Sequence, residues 1–233
     1  MNQANTIQER VRFGQDGRLA GVLHYPASAA PRRAVLLCSP HPNFAGDMDN
    51  NVIRLLAEQM SSDAVVLRFD YRGIGESRIN LPPGVSVFDY WADTEQACNY
   101  AEALADTADA ADELWRICGQ RPLLVVGYSF GALTGTRTTL ADARFAAMVG
   151  ISPPLKRIAF EFLADCPKPC LMLSGEGDFS YDADVAARLA AAAGDRLILE
   201  VLADRDHFFR GHEESLGNRV MDFLDHVDGQ KRP

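Results

Sequence analysis

The stretch that most constrains this chain is Leu123–Leu133. An apolar run, Leu123-Leu124-Val125-Val126, enters Gly127-Tyr128-Ser129-Phe130-Gly131 and continues into a segment rich in small residues. A strand that turns this abruptly into a helix leaves Ser129 standing at the corner with its hydroxyl exposed. Glycine is needed on both sides, because a Cβ at either position would collide as strand and helix close on each other. Such a corner requires a sheet to hold the strand and a helical layer packed on it. Ser129 is therefore the first candidate nucleophile.

Strand-like and helix-like segments alternate around this corner, which predicts an α/β fold. The expected sheet is mostly parallel, of about eight strands, with helices on both faces. The first two strands, Ile7–Phe13 and Leu19–Tyr25, are separated by Gly14-Gln15-Asp16-Gly17. That connection reads as a hairpin, so the sheet opens antiparallel. Strands at Ala34–Ser39 and Ala64–Tyr71 flank a helix over Asn50–Ser61. Its apolar face carries Val52, Leu55, Leu56 and Met60, and Asp49 or Asn50 is its N-cap. Val87–Cys118 reads as a long helical region with a break near Thr107–Asp109. The corner strand Leu123–Tyr128 and its helix Phe130–Leu140 follow, then strands at Ala146–Ser152 and Cys170–Ser174. A helix over Tyr181–Ala193, a strand over Leu197–Leu202 and a helix over Glu213–Val227 complete the order.

With 233 residues, of which 47% are hydrophobic, one domain over 1–233 with a single substantial core is expected. No apolar run approaches the roughly 20 residues of a membrane span. The stretch Met1–Arg10 lacks the basic start and apolar core of a leader, so a cytoplasmic location is expected. The five cysteines are odd in number and scattered, and read as reduced thiols. Cys166 and Cys170 lack the further ligands a metal would need, and no cofactor is implied. A net charge of −9 disfavours nucleic acid. The expected partner is a small molecule, and the sequence is compatible with a homodimer.

Three motifs carry a family resemblance. Ser39–Asn50 contains Pro40-His41-Pro42 followed by Asn43-Phe44-Ala45-Gly46-Asp47-Met48-Asp49-Asn50. Phe69–Ser77 contains Arg72-Gly73-Ile74-Gly75-Glu76-Ser77, a tight turn without the Lys-Ser/Thr ending of a phosphate loop. Together with Gly127–Gly131 these resemble the α/β-hydrolase superfamily. More narrowly, they resemble its compact, lidless bacterial serine hydrolases of esterase or thioesterase type, which carry a Pro-His-Pro oxyanion loop. Ala45 stands where that loop usually has its first glycine. The resemblance implies an α/β-hydrolase fold, with Ser129 on the nucleophile elbow. It also implies a Ser-Asp-His triad on Ser129, Asp178 and His207.

In this fold the acid and then the histidine follow the nucleophile in the chain. Three histidines do so, His207, His212 and His226, and only His207 lies just past the last strand, at the edge where the elbow sits. For the acid, Asp178 follows the strand Cys170–Ser174, with Glu176 its nearest rival, then Asp204 and Asp206. Asp178 could alternatively cap the helix after it. The oxyanion hole needs two backbone N–H groups. Phe130 supplies one, and the other comes from His41, Asn43 or Phe44, since prolines have none to give. Position after the His-Pro pair favours Asn43, then Phe44. The His41 side chain is expected to fix the loop by hydrogen bonding.

Pro153–Pro169 is too short for a lid domain, so at most a short helix around Arg157–Leu163 overhangs an open site. The chemistry these residues favour is cleavage of a carboxylic ester or thioester of a small to medium acyl group, through an acyl-enzyme. Acyl transfer to an alcohol or amine would use the same residues. A catalytically silent hydrolase-fold binding protein is the alternative from another class, and the ordered triad argues against it.

Overall fold

The computed structural model describes residues 6–119, 121–140 and 142–230; of the stretch Met1–Arg10 read above, residues 1–5 lie outside them. The strands are β1 (Thr6–Phe13), β2 (Leu19–Pro26), β3 (Arg33–Cys38), β4 (Ala64–Asp70), β5 (Leu123–Tyr128), β6 (Phe145–Ile151), β7 (Cys170–Gly175) and β8 (Leu197–Leu202). Among the described residues they form one eight-stranded sheet, ordered β1-β2-β4-β3-β5-β6-β7-β8. β1 and β2 pair antiparallel through the turn at Gly14–Gly17, and β2 meets β4 antiparallel. Every pairing from β4 through β3, β5, β6 and β7 to β8 is parallel. This is the α/β-hydrolase fold.

The helices are α1 (Asn51–Met60), α2 (Val87–Gln96), α3 (Ala101–Cys118), α4 (Phe130–Leu140), α5 (Ala183–Ala193) and α6 (Glu213–Gln230). Strand periodicity divides the core between the two faces of the sheet. Val35, Leu37, Leu124 and Val126 pack with α1 and α6, against Leu56, Met60, Leu216 and Phe223. Leu36, Cys38, Leu123 and Val125 face the other way, onto Trp91 of α2, Leu114 of α3, Leu133 of α4 and Leu189 of α5. Asn50 caps α1 by accepting the Val52 N–H at 3.0 Å. On α1, Val52, Ile53, Leu56, Ala57 and Met60 are buried, while Leu55 is only half-buried at the margin of that face.

Two local expectations are corrected. The helical region breaks at Ala97–Tyr100, not near Thr107–Asp109. Cys98 there takes a left-handed φ of 49°, whereas Thr107 is buried in continuous helix, its hydroxyl donating to the Ala103 carbonyl at 2.9 Å. That internal bond satisfies the threonine without a break. Secondly, the short helix after β6 is a 3₁₀ turn at Glu161–Asp165, later than Arg157–Leu163.

The β5–α4 corner is packed backbone against backbone. A Cβ on Gly127 would overlap the Gly131 carbonyl, and one on Gly131 would overlap the Cys38 carbonyl of β3. Gly131→Ala must move main chain, and is expected to cost about 3 kcal/mol or more. Gly119→Ala is the comparison: it is left-handed with φ 61°, but its added Cβ meets nothing within 4 Å. It should cost only the conformational penalty, about 1–2 kcal/mol. Urea-unfolding midpoints at unchanged slope check both, and equal costs would contradict the packing argument.

Candidate active site

Ser129 sits on the corner with φ 55°, a conformation that L side chains rarely adopt. The strain, of order 1–3 kcal/mol, is held by the main chain around it. The Ser129 N–H donates to the Ile151 carbonyl at 2.7 Å, and the Ala132 N–H donates to the Ser129 carbonyl at 2.9 Å. The serine is thereby fixed to the end of β6 on one side and to the first turn of α4 on the other.

The loops after β7 and β8 run side by side, because their strands pair in parallel up to Gly175 and Leu202. They carry Asp178 and His207, both buried. His207 Nδ1 lies 2.9 Å from Asp178 Oδ1. With a carboxylate facing it, Nδ1 is the protonated nitrogen, and Nε2 keeps its lone pair. Ser180 joins the two: its hydroxyl and its N–H donate to Asp178 Oδ1 at 2.7 and 2.8 Å, and the hydroxyl lies 3.2 Å from His207 Nδ1. Burial pushes the Asp178 pKa up, but the hydrogen bonds from His207 and Ser180, with the charge of the imidazole, outweigh it and hold the pKa below the usual carboxylate value. The His207 carbonyl accepts from the buried Tyr128 hydroxyl at 2.8 Å, which ties the base loop to the residue before the elbow serine. Among the described residues no hydrogen bond joins Ser129 to His207, although both line one cavity. Such contacts often tighten only when substrate is bound.

The other carboxylates considered have separate roles. Asp182, not Asp178, caps α5 by accepting the Val185 N–H at 2.9 Å. Glu176 accepts the Asp204 N–H at 3.4 Å, and Asp206 accepts the N–H groups of Phe208 and Phe209 at 2.9 and 3.1 Å. His212 lies just before α6 and His226 within it, and neither lines the cavity.

The Asn43 N–H, expected to be the second oxyanion donor, is engaged within its own loop. It donates to His41 Nδ1 at 3.2 Å, and the Phe44 N–H donates to the His41 carbonyl at 2.9 Å. Of the three candidates only His41 has an N–H for which no acceptor is found among the described residues. The same holds for Phe130, whose N–H opens the first turn of α4, where no intrahelical partner exists. The sequence missed this because the loop folds around the His41 ring. Nδ1 accepts, so Nε2 bears the proton, and burial holds the imidazole pKa below its ordinary value. Phe44, Trp91 and Phe130 surround the ring, with centroids 5.6, 5.6 and 5.0 Å away. Ala45 takes a left-handed φ of 56°, which explains why glycine is the ordinary residue there.

The rest of the loop is braced by residues that sequence reasoning passed over. The Met48 N–H donates to Asp70 at 2.7 Å, while Arg68 donates to the Met48 carbonyl at 2.6 Å and to His24 at 2.9 Å. Burial pushes the Asp70 pKa up to about 6, and burial with the neighbouring Arg68 pushes that of His24 down to about 4. The available signal was a charged residue inside the otherwise apolar run Ala64–Phe69. Ser180 had no comparable signal.

The cavity holding Ser129 and His207 measures about 490 Å³ and also takes in His41, Tyr100, Phe130 and Ile158. Its cover is shared. The end of α2 contributes Glu95 and the joint after it Cys98, the segment after β6 contributes Pro154 and Arg157, and an Arg157–Glu95 ion pair at 3.0 Å links the two sides. A larger cavity of about 660 Å³ lies against α3, away from Ser129. Its Arg18 and Arg72 are already paired with Asp106. Among the described residues no group of three or more His, Cys, Asp or Glu side chains could hold a metal ion, and no helix is long and apolar enough to cross a membrane.

An uncharacterized protein of Rickettsia prowazekii is 26% identical over 221 residues, covering 91% of this chain and 86% of that protein. Two solved structures share the fold. An alpha-beta serine hydrolase homologue from Coxiella burnetii matches with a TM-score of 0.76 at 20% identity, over 94% of this chain and 97% of that one. A serine hydrolase without lid from Xanthomonas campestris matches with a TM-score of 0.74 at 20% identity, over 95% and 94%. The model of the alpha/beta hydrolase family matches residues 35–210. That span runs from within β3 to just past His207 and takes in the elbow and both loops facing it, so the chain belongs to the alpha/beta hydrolase family.

Proposed function

We propose that this protein is a serine hydrolase that cleaves carboxylic ester or thioester bonds of small to medium acyl substrates. The observation that carries the reading is the 2.9 Å contact of a buried Asp178 with Nδ1 of His207, which lines the same cavity as the strained Ser129. In this reading His207 Nε2 takes the proton from the Ser129 hydroxyl as its oxygen attacks the acyl carbon. Asp178 holds the imidazole in the required tautomer and stabilises its charged form. The N–H groups of Phe130 and His41 receive the oxyanion. His207 then protonates the leaving oxygen or sulfur, and water releases the acid from the acyl-enzyme. Only the leaving group distinguishes ester from thioester, so the same residues serve both. A cavity of about 490 Å³ lies toward the small end of ligand pockets, which span roughly 300–1,000 Å³, and suits short to medium acyl groups.

Ser129→Ala should fold normally and lose on the order of 10⁴-fold or more in kcat. Asp178→Asn should cost several orders of magnitude through the wrong tautomer, and Glu176→Gln should cost little. Steady-state hydrolysis of p-nitrophenyl esters and acyl-thioesters of graded length reads all three. Activity in Ser129→Ala above a tenth of wild type would contradict the nucleophile, and greater damage from Glu176→Gln would move the acid. Acyl transfer is separated in the same assay by product analysis with added alcohol.

The His41 assignment makes its own prediction. His41→Leu removes the acceptor for the Asn43 N–H and loosens the loop that presents the His41 N–H. It should lower kcat by about 10²-fold, the scale of one lost oxyanion donor, with little change in KM. His41→Asn, whose side-chain oxygen can accept near the position of Nδ1, should recover most of that loss. Equal kcat values for the two variants would contradict the assignment.

A further inference from the structure

Resting on that reading, we propose that Phe179 and Phe208 form a binding clamp for the leaving group, and that the preferred leaving group carries a planar aromatic ring. Four phenylalanines are exposed in the described structure: Phe44, Phe88, Phe179 and Phe208 at 65%, 62%, 63% and 42%. Three of them, Phe44, Phe179 and Phe208, line the cavity that holds Ser129. Large apolar rings are normally withdrawn from water, so three at one mouth mark a surface kept open for something apolar.

The chemistry divides that mouth. When the tetrahedral intermediate collapses, the bond from the acyl carbon to the leaving oxygen or sulfur breaks. The electron pair goes to that atom, and the atom takes the proton held on His207 Nε2. It must therefore lie within hydrogen-bond reach of that nitrogen. The exposed rings nearest the imidazole are Phe179 and Phe208, with centroids 4.5 and 5.4 Å from it. Phe44 instead neighbours His41, on the side assigned to the oxyanion. The first atoms of the leaving group thus emerge beside Phe179 and Phe208.

The main chain that carries these two rings is held in place despite their exposure. The Phe208 N–H donates to Asp206 at 2.9 Å, and the Arg210 guanidinium lies 5.0 Å from the Phe208 ring centre. The Phe179 carbonyl accepts from the Lys156 ammonium at 3.0 Å, and the next residue, Ser180, is bonded to Asp178. The two rings stand 6.2 Å apart, inclined at 44°. Both rings are exposed and line the cavity, so a ring on the leaving group can approach either at the separations of about 4.5–7 Å over which aromatic pairs attract. A flexible alkyl chain gains no such geometry from them.

The test compares phenyl acetate with hexafluoroisopropyl acetate, two esters of the same acid whose leaving alcohols are of similar acidity. The wild type should favour the phenyl ester by about tenfold in kcat/KM, as expected for two aromatic contacts. Phe179→Leu and Phe208→Leu, which keep apolar bulk but remove the ring, should each lower that ratio by roughly threefold, and the double variant should bring it close to one. Fluorophosphonate labelling of Ser129 separates the two levels of the account. If the wild type labels but its ratio is near one, or if both leucine variants keep the wild-type ratio, the clamp is wrong and the hydrolase reading stands. If the wild type does not label, the hydrolase reading fails and the clamp with it. A ratio unchanged in variants that lose self-association, or binding to phosphatidylcholine vesicles, would assign the rings to a second copy or a lipid surface and overturn the clamp.

Discussion

The rest of the site depends on one contact of main chain with main chain: the closure of β5 against α4 across Gly127 and Gly131. Neither position has room for a Cβ, because Gly131 lies against the Cys38 carbonyl and Gly127 against Gly131. That closeness forces Ser129 into a left-handed φ of 55° and aims it away from the sheet. It also brings the end of β3, and with it the loop containing His41, beside the first turn of α4. One packing constraint therefore sets the position of the proposed nucleophile and of both proposed oxyanion donors. Its cost in strain is met by a core that extends over both faces of the sheet.

The proposed acid and base are set by a second, separate device. Parallel pairing of β7 with β8 lays two loops next to each other, and the hydrogen bonds within them lock Asp178 and His207 together. Burial alone would favour a protonated Asp178. Donors from His207 and Ser180 reverse that tendency, and an ionised carboxylate is what keeps the proton on Nδ1. Tyr128 then couples the devices, since the residue before the serine holds the carbonyl of the histidine.

Much of the fold was legible because local signals agreed with the final packing. β5, α4 and β8 have the limits their apolar runs suggest, and the hairpin turn is fixed by left-handed positions at Gly14, Asp16 and Gly17. The positions of Ser129, Asp178 and His207 could be proposed from chain order and strand ends alone. What was hidden depends on contacts distant in sequence. The helix joint at Cys98 was hidden because its left-handed φ of 49° falls on a residue other than glycine. The choice among His41, Asn43 and Phe44 turned on a ring nitrogen capturing a backbone N–H two residues later. Ser180 looks like any loop serine until Asp178 and His207 are brought to it. Phe44, Phe130, Phe179, Phe208 and Phe209 can be placed in site loops from the sequence, but that Phe179 and Phe208, from loops after different strands, flank one imidazole cannot.

The central claim is that Ser129 carries the acyl group during turnover. Rapid mixing with p-nitrophenyl acetate, followed by acid quench and peptide mapping by mass spectrometry, tests it most directly. The expected result is a burst of p-nitrophenol stoichiometric with enzyme and one acetyl group on the peptide containing Ser129. Turnover with no acetylated enzyme, or an acetyl group on another nucleophile such as the exposed Cys98 thiol in the same cavity, would contradict it.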